Sequence, residues 1–197
     1  MGDALAADKR RLRRSLAGLY GSVSPEDAAA AGDAVAAVLG ERREVRSAAR
    51  VALYAALPDE VPTRPSFERL RDAGPELALP CPLPDGRLEF RAVAGWAELR
   101  PGRWGVLEPP PGARRCALGP GDVVLVPGVA FDREGHRLGR GAGYYDATFP
   151  PAEPAPLLIG VAWSFRLVGD LPHGSRDRRV DAIVTERGWE PLAGGAV

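Results

Sequence analysis

The residues best equipped for chemistry lie together in Arg137-Leu138-Gly139-Arg140-Gly141-Ala142-Gly143-Tyr144-Tyr145-Asp146. Glycines at every second position leave backbone N–H groups open to close approach by an anion. A helix-compatible segment follows, and the positive end of a helix adds to such a site. Arg137 and Arg140 bring full charges and planar donor forks that match phosphate oxygens. Tyr144 and Tyr145 add aromatic faces and hydroxyls, and Asp146 is a hard oxygen ligand of the kind Mg²⁺ takes. The stretch is not a P-loop, because no Gly-Lys-Ser/Thr follows. It also lies too late in the chain to open a dinucleotide-binding βα unit. Glycine alternation alone fits a tight turn equally well; the arginines, tyrosines and aspartate around it point to anion binding.

Two further cations are placed by a helix. Residues Asp3–Tyr20 read as helical, because at about 100° per residue Leu5, Leu12, Leu16 and Leu19 fall on one narrow apolar stripe. Lys9 and Arg13 lie together on one flank of that stripe, where both reach the rim of a cleft. Arg10, Arg11 and Arg14 belong to the solvated side. Lys9 is the only lysine in a chain of 26 basic residues, a hint of a specific need. His136 and His173 are the only histidines and read as exposed turn residues, so there is no Ser/His/Asp triad. Cys81 and Cys116 match neither a close pair nor a metal-ligand spacing and read as reduced thiols.

The elements that must position these groups are legible from pattern. Ser24-Pro25-Glu26-Asp27 is a helix start, with a capping serine, proline in the first turn and acid after it, and the helix runs to Gly40. A short helix is expected over Arg64–Ala73. Apolar runs of strand length occur at Val51–Leu57, Leu77–Pro80, Leu88–Val93, Val123–Val126, Leu157–Trp163 and Ala182–Thr185. Several are apolar on both faces, which suits a sheet covered on both sides. The expected fold is a three-layer α/β/α single domain with an open, largely parallel sheet over residues 1–187, and a frayed tail over 188–197. The 197 residues carry equal numbers of acidic and basic groups, which argues against a nucleic-acid partner. No apolar run is long enough to span a membrane, and the N-terminus does not read as a signal peptide. A cytoplasmic location is expected, and no protein partner is signalled.

Pro127-Gly128-Val129-Ala130-Phe131-Asp132 followed by Arg137–Asp146 resembles the signature of the 5-formyltetrahydrofolate cyclo-ligases, also called methenyltetrahydrofolate synthetases. The likeness runs through most of the chain: the Lys9/Arg13 pair, Asp59-Glu60-Val61 to Thr63, Arg103-Trp104-Gly105-Val106-Leu107-Glu108-Pro109, and Leu171-Pro172 with Asp177 to Asp181 and Thr185-Glu186. The resemblance implies an ATP- and Mg²⁺-dependent ring closure of a folate. It assigns ATP to Lys9, Arg13 and the loop of Arg137, Leu138, Gly139, Arg140, Gly141, Ala142, Gly143, Tyr144 and Tyr145. It assigns Mg²⁺ to Asp146 and Asp177, and the folate to Ala55, Glu60, Trp104, Arg140 and Tyr144, with Arg140 and Tyr144 at the reacting atoms. The departures are Ala142, where relatives often carry Lys or Gly, Arg176 in place of a common histidine, and Arg166 in place of a common glutamine. A binder that keeps the pocket without catalysis is the competing reading, and the intact basic and acidic set speaks against it. A different enzyme on a similar sheet, such as a sugar-phosphate isomerase, is the other competitor and would work without ATP.

Overall fold

The computed structural model describes residues 2–17, 23–151, 153–190 and 192–193. It opens with α1 (Gly2–Ala17), α2 (Pro25–Glu41), α3 (Arg43–Arg46), β1 (Arg50–Ala52) and α4 (Arg64–Arg71). The middle of the chain gives β2 (Glu76–Pro82), β3 (Leu88–Ala92), β4 (Arg100–Pro101), β5 (Leu107–Glu108) and β6 (Arg115–Cys116). Then come β7 (Val123–Pro127), β8 (Ala130–Phe131), β9 (Arg137–Leu138) and α5 (Tyr144–Thr148). β10 (Leu157–Val161), β11 (Ala182–Thr185) and β12 (Gly188–Glu190) complete the chain.

Eight strands form one sheet in the order β12-β11-β10-β7-β1-β2-β3-β6. The stretch from β11 to β2 is parallel; β12 and β3 run opposite to it at the two sides, and β6 pairs antiparallel with β3. Alternation within each strand feeds two cores. Val51, Leu79, Val123, Leu125, Ile159 and Val184 pack beneath α2, α3 and α4. Their neighbours Ala52, Ala78, Val124, Val126, Leu158 and Ile183 pack on the opposite face with Phe131 and Phe149. Burial on both sides is why these strands read as unbroken apolar runs. The fold is α/β with a mostly parallel central sheet flanked by helices, as expected.

The far layer is thin, because α5 has only five residues. The β8–β9 hairpin fills most of it. The Phe131 ring lies against the backbone of Gly160, where a Cβ would sit 2.5 Å from the ring; only glycine permits that approach. α1 is seated on the same hairpin through Leu12 and Leu16, which pack with Val129, Ala130, Leu138 and Leu171. The α2 start matches its sequence signature, with Ser24 Oγ accepting from the Asp27 N–H at 3.0 Å.

Several expectations are corrected. β1 stops at Ala52, yet Leu53, Tyr54 and Ala55 remain buried as the chain leaves the sheet. The tail is not frayed from 188, because β12 pairs with β11 and Trp189 lies under the Arg42 guanidinium at 4.1 Å. Residues 191 and 194–197 lie outside the described residues, as do Leu19 and Tyr20 of the first expected helix. His136 is buried rather than exposed in a turn. Its Nδ1 faces Asp132 Oδ2 at 3.0 Å, and its Nε2 accepts from Arg179 Nε at 3.0 Å, which puts the ring proton on Nδ1. Asp132 also accepts from the N–H groups of Glu134, His136 and Leu171. Burial works to raise the Asp132 carboxyl, but these donors outweigh it and hold the group below the usual range. Both cysteines are free and buried, and burial pushes the Cys81 thiol up to about 11.

Candidate active site

From β1 the chain moves outward to β2, while from β7 it moves to β10 on the other side. Adjacent parallel strands whose connections diverge leave a crevice at their carboxyl ends, the usual ligand position in open α/β sheets. Asp59 and Glu60 follow β1 into this crevice. The β8–β9 hairpin and the glycine loop follow β7 into it.

The first wall is ionic. Lys9 Nζ meets Asp177 Oδ2 at 2.6 Å, and Arg13 Nε donates to the Gly139 carbonyl at 2.6 Å. One flank of α1 therefore clasps both the glycine loop and the 174–181 segment. Arg13 also lies across Gly141, its Cζ 3.6 Å from where a Cβ would stand. Gly143 caps α5 in the left-handed region at φ 71°, a conformation that glycine adopts without strain. With a single turn and a half, α5 adds little dipole, so the cations and loop N–H groups must carry any anion. Arg137 is buried and donates through Nη2 to Asp146 Oδ1 at 3.0 Å. Its Nη1 is buried without a hydrogen-bond partner among the described residues. An unsatisfied buried guanidinium donor is costly, and a phosphate oxygen would complete it.

Each aspartate spends one oxygen on protein donors. Asp146 Oδ1 takes Arg137 and the Arg178 N–H, and Asp177 Oδ2 takes Lys9 and the Gly174 N–H. Burial pushes the Asp177 carboxyl up, but Lys9 and the Gly174 N–H outweigh it, so the group stays ionised to lower pH than usual. Among the described residues no three His, Cys, Asp or Glu side chains converge as a self-sufficient metal centre. Mg²⁺ needs no such centre, since it takes one or two carboxylates and completes its shell with phosphate oxygens and water. Asp146 and Asp177 fit that role.

The second wall is aromatic and acidic. Arg140 reaches across from the glycine loop to Asp59 Oδ1 and, through Nε, to Glu60 Oε1 at 3.3 Å. Glu60 Oε2 accepts from the Leu57 N–H at 2.9 Å. Burial lifts the Glu60 carboxyl above the usual range, and the Leu57 N–H and Arg140 offset this only in part. Trp104 is not a core residue; it is 66% exposed, and its ring centroid lies 6.0 Å from that of Tyr144. It occupies the turn between β4 and β5 with φ 56° and ψ 22°, followed by Gly105 at φ 75°, and Val106 N–H bonds back to Arg103 O. That is a two-residue turn in which both central residues have positive φ, a place normally given to Asn-Gly.

Some expected contacts fall elsewhere. Leu138 is packed in the small cluster under α1, and its side chain faces no cleft. Ala55 is buried and packs in the core on the α2 side. Arg166 is buried and donates to the Val129 carbonyl, which makes it a support of the β8–β9 hairpin rather than a crevice group. Ala142 and Arg176 are exposed. Tyr145 turns its hydroxyl inward, and burial raises its pKa well above the ordinary value. The sequence reading missed Asp59 as a partner of Arg140, and it missed Phe165. Phe165 is 41% exposed and stacks on Trp163, whose Nε1 donates to the Asp59 carbonyl. A Trp-Ser-Phe run closing a buried strand was the available signal.

A cationic glycine loop, two carboxylates and an aromatic, acidic wall meet at the switch point of an α/β fold with a mostly parallel sheet. The sequence profile of the 5-formyltetrahydrofolate cyclo-ligase family matches residues 5–186, and the chain belongs to that family. It is 32% identical over 174 residues to the 5-formyltetrahydrofolate cyclo-ligase of Escherichia coli K12, covering 86% of this chain and 96% of that one. It is 27% identical over 196 residues to the probable 5-formyltetrahydrofolate cyclo-ligase of Caenorhabditis elegans, covering 93% and 95%. Among solved structures, the 5,10-methenyltetrahydrofolate synthetase of Aquifex aeolicus superposes with a TM-score of 0.79 at 33% identity, covering 96% of this chain and 95% of that one.

Proposed function

We propose that the chain catalyses the ATP- and Mg²⁺-dependent cyclisation of 5-formyltetrahydrofolate to 5,10-methenyltetrahydrofolate, releasing ADP and phosphate, as a cytoplasmic protein. Family membership supports the reaction class, and the clasp of α1 on the glycine loop and Asp177 is the observation that carries the nucleotide reading. A formamide oxygen is a poor leaving group, so the reaction needs that oxygen activated. Transfer of the γ-phosphoryl group breaks its bond to ADP and forms a P–O bond to the formyl oxygen, while the N5 lone pair closes a C=N⁺ bond. N10 then attacks the same carbon, phosphate departs with the former formyl oxygen, and the N10 proton is released.

Such chemistry calls for charge stabilisation and positioning more than for a strong base. Lys9, Arg13, Arg137 and Arg140 are the cations for the phosphates, and Asp146 and Asp177 would hold Mg²⁺. When bound, the ion neutralises charge on the transferring group. Arg140 leaves Asp59 and Glu60 for the phosphoryl oxygens, which frees Glu60 to accept from the pterin amino and ring N–H groups. Trp104 and Tyr144 stack on the ring, and Tyr144 and Arg140 flank the reacting formyl group.

The test is near-ultraviolet absorbance, because the methenyl product absorbs strongly there and the formyl substrate does not. Purified protein with MgATP and 5-formyltetrahydrofolate should give a rise that vanishes when ATP is left out. A folded preparation that gives none overturns the reading, and a rise that persists without ATP overturns its nucleotide dependence.

A further inference from the structure

Asp177 stands on a stretch with no regular structure of its own. From Leu171 to Asp181 there is neither helix nor strand, and Ser175 and Arg176 are exposed. No ladder of backbone bonds aims its carboxylate, and a chain without one has many conformations to choose from. A tight turn is closed within the stretch by the Asp177 N–H on the Gly174 carbonyl at 3.1 Å and by the Gly174 N–H on Asp177 Oδ2 at 2.6 Å. That turn sets a local shape, but not its place relative to the glycine loop.

The place comes from the turn of the β8–β9 hairpin, residues 132–136, which holds the stretch at both ends. At one end Asp132 Oδ2 accepts from the Leu171 N–H at 3.0 Å. At the other the Gly135 carbonyl accepts from the Val180 N–H at 2.9 Å, and His136 Nε2 accepts from Arg179 Nε at 3.0 Å. The approach at Gly135 is close, since a Cβ there would lie 2.5 Å from the Val180 carbonyl oxygen. Asp132 joins the two ends. Its Oδ1 closes the turn on the Glu134 and His136 N–H groups, while Oδ2 also faces His136 Nδ1 at 3.0 Å. Asp132 is 2% exposed and His136 5%. Groups so deeply buried are tolerated only when their polar atoms are matched, and here both oxygens and both ring nitrogens are. The turn also leads straight into β9, where Arg137 donates to Asp146 Oδ1. One buried pair thus stands between the two carboxylates of the ionic wall.

We propose that Asp132 and His136 are positioning residues of the metal site: acting through Leu171 and Arg179, they set the distance and direction of Asp177 relative to Asp146. The proposal rests on the Mg²⁺ reading of those two aspartates given above.

Calorimetric titration with ADP, once in excess Mg²⁺ and once in EDTA, reads the gain in affinity that the metal supplies. In Asp132→Asn the amide oxygen still takes the Glu134 and His136 N–H groups, so the turn should hold, but an amide donor now faces the Leu171 N–H. His136→Phe keeps a flat ring against His173, on which His136 stacks with centroids 3.5 Å apart, and loses both hydrogen bonds. Each variant should cut the metal-dependent gain about tenfold, the scale on which partners of metal ligands act, and leave ADP binding in EDTA unchanged. His136→Gln, whose amide oxygen can stand before Arg179 Nε, should recover most of the gain. Amide hydrogen exchange should quicken at Gly174 and Arg178 in the first two variants and stay slow in the central strands. An unaltered gain in the folded variants overturns the proposal. So does an equal loss with and without Mg²⁺, or failure of both variants to fold, either of which would make the pair a support of the fold alone. Asp177→Asn tells the two readings apart. If it abolishes the gain while Asp132→Asn and His136→Phe do not, the metal reading stands and the positioning falls. If the unaltered protein shows no gain, or the gain survives Asp177→Asn, both fall.

Discussion

The two walls of the crevice place their side chains in different ways. On the ionic wall every full charge has a protein partner: Lys9 with Asp177, Arg137 with Asp146, and Arg13 with the Gly139 carbonyl. On the aromatic wall Trp104 stands largely in solvent, in a backbone conformation that its side chain does not favour. Charges left unpaired beside a low-dielectric core are expensive, so the first wall is closed by internal pairs. An exposed ring carries no charge to desolvate, so the second wall can stand open. Arg140 links the two, holding Asp59 and Glu60 from across the crevice.

The sharpest way to break the contrast is to neutralise the ionic wall without disturbing its hydrogen bonds. In Asp146→Asn the amide oxygen still accepts from Arg137 and the Arg178 N–H, so the fold should hold. Loss of a hard metal ligand should lower kcat on the order of 100-fold and weaken the dependence on Mg²⁺. Turnover against Mg²⁺ concentration, beside a thermal melt, makes the comparison. Full activity with an unchanged melt would take Asp146 out of the metal set.

A smaller effect is expected from Lys9→Ala. Removing one charge-assisted contact should raise KM for MgATP about tenfold with a smaller change in kcat. The variant also carries a pH signature. Lys9 helps hold the Asp177 carboxyl below its ordinary range, so without it that carboxyl protonates at higher pH. The acid limb of MgATP binding should therefore move up in pH. The stability that the lowered carboxyl contributes, present above its unfolded pKa and lost as pH falls through the folded value, should shrink as well. A lower melting temperature with unaltered KM would leave Lys9 as a helix-face residue only.

These pairs also mark where sequence alone stops. The strands were legible because a sheet buried on both faces forces unbroken apolar runs, and the glycine loop because its backbone demands are local. The end of β1 was not, since Leu53, Tyr54 and Ala55 stay buried after the sheet pairing ends, and an apolar run reports burial rather than pairing. Gly188–Glu190 is too short to show an apolar pattern and is held as a strand by its register with β11. His136 looked like a turn residue, and only the return of Asp132 beneath it makes it a buried one. The Lys9–Asp177 contact spans 168 positions, and no spacing rule reaches that far; the likeness to a known family brought those two residues into one set.

The smallest expected effect has two opposite signs, and it tests whether the open wall is kept for a ligand. A β-hairpin turn with positive φ at both central positions favours Asn-Gly, and a bulky side chain there costs about 1 kcal/mol or somewhat more. Trp104→Asn creates the preferred pair with Gly105 while removing a ring that is 66% exposed and so contributes little packing. The variant should melt about 2–4 °C higher, the shift that about 1 kcal/mol gives in a domain of this size. Its KM for 5-formyltetrahydrofolate should rise about threefold to tenfold, the worth of one aromatic stack, with KM for MgATP unchanged. Strain retained at a site that gains stability on losing it is the mark of a residue kept for function. A lower melting temperature with unaltered folate KM would mean instead that Trp104 serves the hairpin, and that the open wall lies elsewhere, around Phe165.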